Sequence, residues 1–235
     1  MRLIGKPAKI LFFNDHMNNL FRSLKDYKIY YKDIKKNIRK LIKINIKNKK
    51  KYDHLFRVAV NKKMISVSLR KRPKPKLNFK LKLINYKRID PEYKNLKYKK
   101  IISHLKKMDT TKSDIALYKN NKILETGTSN LLFIKKNKIY SPNKNFYSGT
   151  TLKFFKKKIK KIKKRNILID SLNKYDEIIV IGSGKGVVSV SNIEKSTWKR
   201  KSLKYYRILL KIYQKAVTNC PRYIGWSILL TILET

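Results

Sequence analysis

The sequence predicts an α+β fold in two domains. Short apolar runs rich in β-branched residues predict strands, and apolar residues at helical spacing predict amphipathic helices. Between them, "RPKPK" at 72–76 is a stiff, charged break that is typical of a linker. The 235 residues are 42% hydrophobic, enough to bury a sizeable core. We therefore predict a small α/β domain at 1–80, a larger β-rich domain at 81–220 and an apolar tail at 221–235.

Local patterns define the elements of the first half. "AKILFF" at 8–13 predicts a strand. The segment at 15–27 has apolar residues on one helical face and Asp15 as a candidate N-cap, so it predicts a helix. Helical spacing recurs at 32–46 and predicts a second helix. At 54–71, two apolar runs flank a Lys-Lys turn, which predicts a pair of strands.

The second half is predicted to be richer in strands. The segment at 114–142 has the pattern of three short strands, with a turn at Asn120-Asn121. The lysine-rich block "KFFKKKIKKIKKRN" at 153–166 has Phe and Ile at helical spacing, which predicts an amphipathic helix with a lysine face. The remaining predicted elements are helices at 95–108 and 202–217, and two strands around a Gly-rich loop at 177–190.

The charge balance favours a polyanion as a partner when it is considered alone. Lys and Arg number 61 against 14 acids, for a formal net charge of +47. However, the excess is spread along the whole chain, and Lys, Asn, Ile and Tyr, whose codons are rich in A and T, are all abundant. A recognition patch would be local and interleaved with placed aromatic residues. We therefore attribute the charge to an AT-rich genome and predict no specific nucleic-acid partner.

Cysteine and histidine usage argues against disulfides and metal sites. Cys220 is the single cysteine, so an internal disulfide is excluded. The three histidines, His16, His54 and His104, lie far apart in sequence, and we predict no metal site. No secretory signal opens the chain, and the apolar stretch "YIGWSILLTILET" is too short to span a bilayer. These features predict a cytoplasmic protein without a membrane partner.

The glycine-rich stretch "VIGSGKGVV" at 180–188 leaves two interpretations open. It does not match a Walker A loop, because Lys185 is followed by Gly rather than Ser or Thr. It does not match a dinucleotide-binding loop, because the β-branched run after it disfavours a helix. The first remaining interpretation is a turn whose backbone N–H groups approach an anion, with Ser183 adding a hydroxyl. The second is a bulged hairpin turn.

The order of the motifs is more specific than any one of them. A lysine in "NLKYKK" is followed by Glu-x4-Asn-Leu before a strand, then by Gly-x-Thr at a helix start, and last by "DEIIVIGSGKGVVSV". Over roughly residues 8–205, this order resembles the class IV, fold-type IV family of pyridoxal-phosphate enzymes, which includes branched-chain aminotransferases, D-amino acid aminotransferases and aminodeoxychorismate lyases. The resemblance implies the two-domain fold-type IV architecture and pyridoxal 5'-phosphate as the cofactor.

The resemblance also implies roles for individual residues. Lys97 matches the lysine that forms the Schiff base and moves the proton during catalysis. Glu125 matches the carboxylate that faces the pyridine nitrogen and keeps it protonated. Asn130 matches an asparagine that orders the following loop, although a simple strand-opening turn residue is also consistent with its position.

Phosphate and substrate contacts follow in the same way. Backbone N–H groups, hydroxyls and a helix N-terminus suit a phosphate, and the matching positions are Thr150, Thr151, Gly182 and Ser183. Arg57 is the candidate for a substrate carboxylate, because a guanidinium pairs bidentately with a carboxylate. A plain surface cation on a strand is the alternative interpretation of Arg57.

Three departures from the family pattern bear on the function. Asn19 stands where the family has a phosphate-binding Arg, and Leu152 replaces the last residue of "GITR". Against the family pattern, we expect the chain to start inside or after the first strand of the usual small domain, which predicts a truncated small domain. The stretch from Lys97 to Glu125 is a few residues shorter than the resemblance leads us to expect.

The resemblance predicts a homodimer that transfers amino groups from branched-chain-type amino acids to a 2-oxo acid in amino-acid biosynthesis. "GSG" favours an aminotransferase, whereas the short chain favours an aminodeoxychorismate lyase of folate synthesis. A non-enzymatic basic protein that binds nucleic acid, or an eroded class IV enzyme, is the alternative from another class.

Overall fold

The computed structural model describes residues 1–30, 32–47 and 49–221. Helices and strands are mixed along the chain, with a large sheet in the second half, so the predicted α+β fold class is confirmed. The predicted apolar tail at 221–235 lies, except for its first residue, outside the described residues.

The chain divides into two compact units. Among the described residues, 1–72 together with 216–221 form the first unit, and Pro73–Lys215 forms the second. The division falls inside the charged break at 72–76. The domain limits at residues 80 and 220 stay a prediction.

The described residues of the first unit up to 72 form a four-stranded antiparallel sheet and two helices. The strand order is β2-β1-β3-β4. Met17, Ile38 and Ile42 of the helices and Leu3 and Phe56 of the sheet are buried in one core cluster, as the amphipathic pattern predicts. The elements are β1 (Arg2–Gly5), β2 (Lys9–Leu11), α1 (Phe13–Asp26), α2 (Ile34–Asn45), β3 (Tyr52–Val60) and β4 (Ile65–Lys71).

Two details of the first unit differ from the sequence prediction. The N-cap of α1 is Phe12, in a left-handed backbone conformation with φ 55°, and not Asp15. Asp15 lies in the first turn instead, where a carboxylate still interacts favourably with the helix dipole. The strand β1 was not predicted, because its four residues, "RLIG", are too few to show a period.

The second unit is built on one nine-stranded sheet. The strand order is β10-β9-β8-β12-β13-β5-β6-β7-β11, and its two end strands, β10 and β11, are separated in the chain only by Asn166. The two ends of the sheet therefore meet, and the sheet curls round on itself. The elements are β5 (Phe79–Asn85), α3 (Lys99–Leu105), β6 (Ser113–Lys119), β7 (Lys122–Thr126), β8 (Asn130–Lys135), β9 (Lys138–Pro142), α4 (Thr150–Lys158), β10 (Ile162–Arg165), β11 (Ile167–Leu168), a 3-10 helix (Ile169–Lys174), β12 (Glu177–Gly182), β13 (Gly186–Ile193) and α5 (Lys204–Thr218).

Two predictions for the second unit are wrong in part. The segment at 114–142 contains four strands rather than three, because a second turn at Lys136-Asn137 adopts positive φ and splits the last run. The lysine helix predicted at 153–166 ends at Lys158, and Ile162–Arg165 forms a strand beside β9. A helix through the whole block would crowd like charges three and four residues apart, whereas an edge strand exposes its lysines to solvent.

Candidate functional site

A buried carboxylate lies near the end of β7. Glu125 is 2% exposed and pairs across the sheet with Leu117. Its Oε1 accepts a hydrogen bond from Arg88 Nε at 3.0 Å, and its Oε2 accepts one from the backbone N–H of Tyr147 at 3.4 Å. A charge at this depth needs partners, and Arg88, which follows β5 and is itself buried, supplies the opposite charge.

The electrostatics of Glu125 are those of an incompletely compensated charge. Burial raises the pKa of Glu125 to about 7, because desolvation penalises the ionised form. The charge of Arg88 and the two hydrogen bonds lower the pKa, but they offset only part of the effect of burial. The carboxylate would therefore gain from a further cationic or N–H partner.

Asn130, at the start of β8, binds the segment before α4, which includes Tyr147, the residue whose N–H donates to Glu125. Its Nδ2 donates to the carbonyl of Tyr147 at 2.6 Å, and its Oδ1 accepts from the backbone N–H of Gly149 at 3.0 Å. A Cβ at Gly149 would lie 2.8 Å from Asn130 Oδ1, so a larger residue there would push the two segments apart. Asn130 thus does more than open a strand: it holds the approach to α4 against the sheet.

The N-terminal turn of α4 presents hydroxyls and backbone N–H groups together. Thr150 and Thr151 are buried, and the N-cap residue Gly149 has no side chain to cap the helix. Thr151 Oγ1 lies 3.3 Å from Ser183 Oγ, which belongs to the turn between β12 and β13. A helix N-terminus with two converging hydroxyls is a suitable environment for a phosphate.

The glycine-rich stretch is a hairpin turn that brings Ser183 to this place. Gly182 pairs with Gly186, which has φ of 78°, a conformation that favours glycine. A Cβ on Gly182 would lie 2.6 Å from Ser129 Oγ, so the backbone passes very close to the turn before β8. The two interpretations of this stretch are therefore compatible, since a hairpin turn positions the hydroxyl.

Lys97 lies just before α3, in a loop that folds around Asn95. Asn95 Oδ1 accepts from the Lys97 N–H at 2.9 Å, and Asn95 Nδ2 donates to the carbonyl of Ile89 at 2.8 Å. Lys97 Nζ forms an ion pair with Asp90 at 3.0 Å, and its side chain is 55% exposed. The same loop begins next to Arg88, which ties it to Glu125.

Comparison with known proteins identifies the family. The family model of amino-transferase class IV matches residues 1–193. The chain belongs to this family. It is therefore a member of a family of pyridoxal-phosphate-dependent enzymes. No curated protein sequence matches the chain significantly.

Solved structures share the fold at low sequence identity. A branched-chain aminotransferase from Thermoproteus uzoniensis, solved with norvaline, is 14% identical, with a TM-score of 0.75 and coverage of 96% of this chain and 86% of that one. A protein from Legionella pneumophila provisionally assigned as a 4-amino-4-deoxychorismate lyase is 14% identical, with a TM-score of 0.71 and coverage of 92% and 90%. The branched-chain aminotransferase of Thermobaculum terrenum in its pyridoxal-phosphate form is 15% identical, with a TM-score of 0.70 and coverage of 94% and 84%. These likenesses confirm the fold-type IV architecture.

All of the predicted cofactor residues of this class IV chain lie in the second unit. Contacts link Glu125 through Tyr147 to Asn130, and the start of α4 to Ser183. Arg57 is different, because it lies on β3 in the first unit, is exposed and pairs across the sheet with Ser68. The roles of all these residues stay predictions.

Two departures from the family pattern have structural correlates. Asn19 is buried on α1 in the first unit. Leu152 is fully buried on α4, so an apolar side chain fills the position of the family's arginine.

Sequence reasoning missed Arg88, Asp114 and Lys185, three buried charged residues of the second unit. Among so many cations, neither Arg88 nor Lys185 stands out, although arginine is much rarer here than lysine and better suited to a buried pair. Asp114 carried a usable signal, because acids are scarce and it opens a strand next to apolar residues.

The described residues also bear on three other kinds of feature: surface cavities, metal-binding clusters and membrane-spanning helices. Two surface cavities of about 420 and 580 Å³ are lined mainly by Lys, Arg and Asn, and neither includes a predicted cofactor residue. Within 1–30, 32–47 and 49–221, no cluster of His, Cys, Asp and Glu could hold a metal ion. No helix in that part of the chain is long and apolar enough to cross a membrane.

Proposed function

We propose that this chain uses pyridoxal 5'-phosphate to transfer an amino group from a branched-chain-type amino acid to a 2-oxo acid. The observation that carries the proposal is the buried Glu125 carboxylate, in a chain with few acids, connected by hydrogen bonds to the approach to α4. Burying a carboxylate is costly, and a functional demand for a fixed negative charge accounts for it.

Glu125 suits the ring end of the cofactor. Oε1 is engaged by Arg88, whereas Oε2, among the described residues, accepts one long hydrogen bond from Tyr147. The raised pKa of Glu125 indicates that its negative charge is only partly compensated. A protonated pyridine nitrogen beside Oε2 would supply the missing positive charge. The bound cofactor withdraws electrons from the substrate Cα, and Glu125 holds the proton at the ring nitrogen on which this depends.

The start of α4 and the glycine turn suit the phosphate end. Thr150 and Thr151 contribute hydroxyls and backbone N–H groups, and Ser183 adds a third hydroxyl close to Thr151. Gly182 lets the backbone approach closely. We assign these four residues to phosphate binding and Asn130 to holding the segment before α4 in place.

Lys97 supplies the amine. Its exposed ion pair with Asp90 is worth little in water, so the ammonium can leave it at low cost. We propose that Lys97 attaches the cofactor covalently and moves the proton at the substrate Cα. Arg57 is assigned to the substrate carboxylate, and the enzyme is proposed to act as a cytoplasmic homodimer in amino-acid biosynthesis.

A second candidate is an aminodeoxychorismate lyase. It is favoured by the likeness to the Legionella pneumophila protein, of which this chain covers 90%. We assign both candidate activities to the same cofactor residues, so the substrate decides between them.

Purified protein incubated with pyridoxal phosphate tests the proposal. We expect a visible absorbance band and, after borohydride reduction, a cofactor adduct on Lys97 in peptide mass spectra. A panel of amino donors with 2-oxoglutarate, run beside aminodeoxychorismate, then separates transamination from the lyase reaction. Absence of cofactor uptake would overturn the proposal and leave a non-enzymatic basic protein or an eroded enzyme.

A further inference from the structure

Lys185 is a buried lysine in the turn between β12 and β13. Its side chain is 7% exposed, and its Nζ lies 3.6 Å from Asp114 Oδ2. The same Nζ donates to the carbonyl of Thr110 at 3.4 Å and lies 5.3 Å from the ring centroid of Phe79. Lysine is rarely buried, and a buried lysine normally has partners of this kind. The burial of Lys185 therefore indicates that a positive charge is needed at this position.

Asp114, at the other end of this pair, is fully buried and organises a second turn. Its Oδ2 accepts hydrogen bonds from Thr126 Oγ1 and Thr128 Oγ1, both at 2.9 Å. Its Oδ1 accepts from the backbone N–H of Ile115 at 2.8 Å. Thr126 is the last residue of β7, directly after Glu125, and Thr128 lies in the turn that leads into β8. Asp114 therefore fixes the turn directly next to the predicted ring-binding carboxylate.

The pair joins the two turns that carry the two ends of the proposed cofactor site. The turn at 126–129 lies between Glu125 and Asn130, and the turn at 182–186 carries Ser183. They already touch, since a Cβ on Gly182 would meet Ser129 Oγ. The β8–β12 ladder, which ends where Ile181 pairs with Asn130, joins the two turns at their bases. The buried ion pair adds a link beyond the last paired residues, so it sets the spacing of the parts of the turns that the ladder does not hold.

We propose that Lys185 and Asp114 are positioning residues that hold the phosphate-binding turn at a set distance from the Glu125 turn, and so determine the affinity for the cofactor's phosphate. The proposal rests on the function proposed above. The pair acts through the backbone of the two turns.

The ratio of wild-type to variant affinity, measured for one ligand with the 5'-phosphate and one without it, tests the proposal. Pyridoxal phosphate and pyridoxal are titrated into wild type, Lys185→Gln and Asp114→Asn, with affinity followed by absorbance and by quenching of intrinsic fluorescence. We expect Lys185→Gln to weaken pyridoxal phosphate binding about tenfold or more, and pyridoxal binding by less than about twofold. Lys112→Gln, which removes an exposed pair with Asp109, is the matched control and should leave both affinities unchanged.

The outcomes distinguish this proposal from the function itself. If wild type does not bind pyridoxal phosphate, the proposed function fails. If wild type binds it and Lys185→Gln weakens both ligands by the same factor, the pair is merely structural and this proposal is overturned.

Hydrogen exchange of the cofactor-free wild type covers the case in which the variants do not fold. The amides of residues 126–129 and 183–185 should then open together, with the same dependence on denaturant. Exchange that is orders of magnitude faster at 183–185 would contradict the proposal without any substitution.

Discussion

Two ion pairs, Arg88–Glu125 and Asp90–Lys97, each take one residue from the same short loop, and they differ in burial. Arg88 pairs with Glu125 at 3.0 Å, with both side chains buried, whereas Asp90 pairs with Lys97 at the same distance in solvent. The arginine and the aspartate are two positions apart in the chain. The two pairs differ in burial and not in distance, so they allow the effect of burial on an ion pair to be compared within one protein.

The difference matches what each partner is proposed to do. A buried pair is expensive to break, because removing one partner leaves a charge in a medium that solvates it poorly. An exposed pair contributes at most about 1 kcal/mol and exchanges readily with water. Glu125 is therefore held in one place, while the exposed ion pair of Lys97 with Asp90 costs little to exchange for another bond.

The largest expected effect comes from removing the amine of the exposed pair. Lys97→Ala should abolish covalent cofactor attachment and lower turnover by about 10⁴-fold, because attachment and proton transfer both depend on Nζ. Peptide mass spectrometry after borohydride reduction and a transamination assay measure the two effects. Lys99→Ala, which removes a neighbouring exposed lysine, is the control. A reduced adduct that persists in Lys97→Ala would refute the assignment.

The next effect concerns the charge of the buried pair. Glu125→Gln keeps size and a hydrogen bond but removes the negative charge, so cofactor binding should survive while the chemical step slows by about 10³-fold. Single-turnover kinetics separate the two effects, and Glu125→Asp should recover part of the rate if the shorter side chain still reaches. Normal turnover in Glu125→Gln would make Glu125 a turn residue and remove the contrast between the pairs.

Removal of Arg88 should cost stability in a pH-dependent way. Arg88 lowers the pKa of Glu125, which burial raises to about 7, so Arg88→Met raises it further. The folded variant then keeps a proton above pH 7 that the unfolded chain has released, and its stability relative to wild type falls as pH rises. We expect a loss of about 3 kcal/mol at pH 8 and much less at pH 6.

Urea denaturation of the cofactor-free protein at the two pH values measures this loss. Arg207→Met, at an exposed position on α5, is the control and should show little change at either pH. A loss for Arg88→Met that is equal at pH 6 and pH 8 would mean that Arg88 stabilises by packing and not by charge.

The smallest effect is expected from the acid of the exposed pair. Asp90→Asn should change the free energy of unfolding by less than about 1 kcal/mol. Cofactor attachment, followed by absorbance after mixing, should be as fast as in wild type or a few times faster, since Lys97 no longer has to leave a carboxylate. Loss of attachment would show that Asp90 orients Lys97 and would end the contrast with the buried pair.

Local chemistry made much of the fold predictable. The Asn120-Asn121 turn, the strands around "NKK" at 61–63 and the hairpin at 182–186 follow from turn residues between apolar runs. The end of α4 at Lys158 could not be read in this way, because Ile159 and Ile162 fit a helix and a strand equally well. Pairing with β9 decides the outcome, and that contact is not local in sequence.

The candidate site residues were easiest to single out where the residue type is rare in this chain. An acid such as Glu125 stands out in so basic a chain, and Gly182 stands out because glycine is scarce. Arg88 and Lys185 gave no such signal, because the sequence does not distinguish a buried cation from a solvated one. Only the tertiary structure distinguishes them. It also shows that Asn130 links two segments through its side-chain hydrogen bonds, a role that the sequence had left open.

The meeting of β10 and β11 at Asn166 has a consequence for self-association. A strand at an open sheet edge is a template on which another chain can pair, and such pairing leads to aggregation. The curled nine-stranded sheet brings its end strands together, and β10, with the sequence "IKKR", carries lysines that disfavour an incoming strand. The four-stranded sheet has no such closure among its described strands, and β4, with seven residues, is its longer outer strand. If copies of this chain associate edge to edge under denaturing stress, β4 is where the first contact is expected.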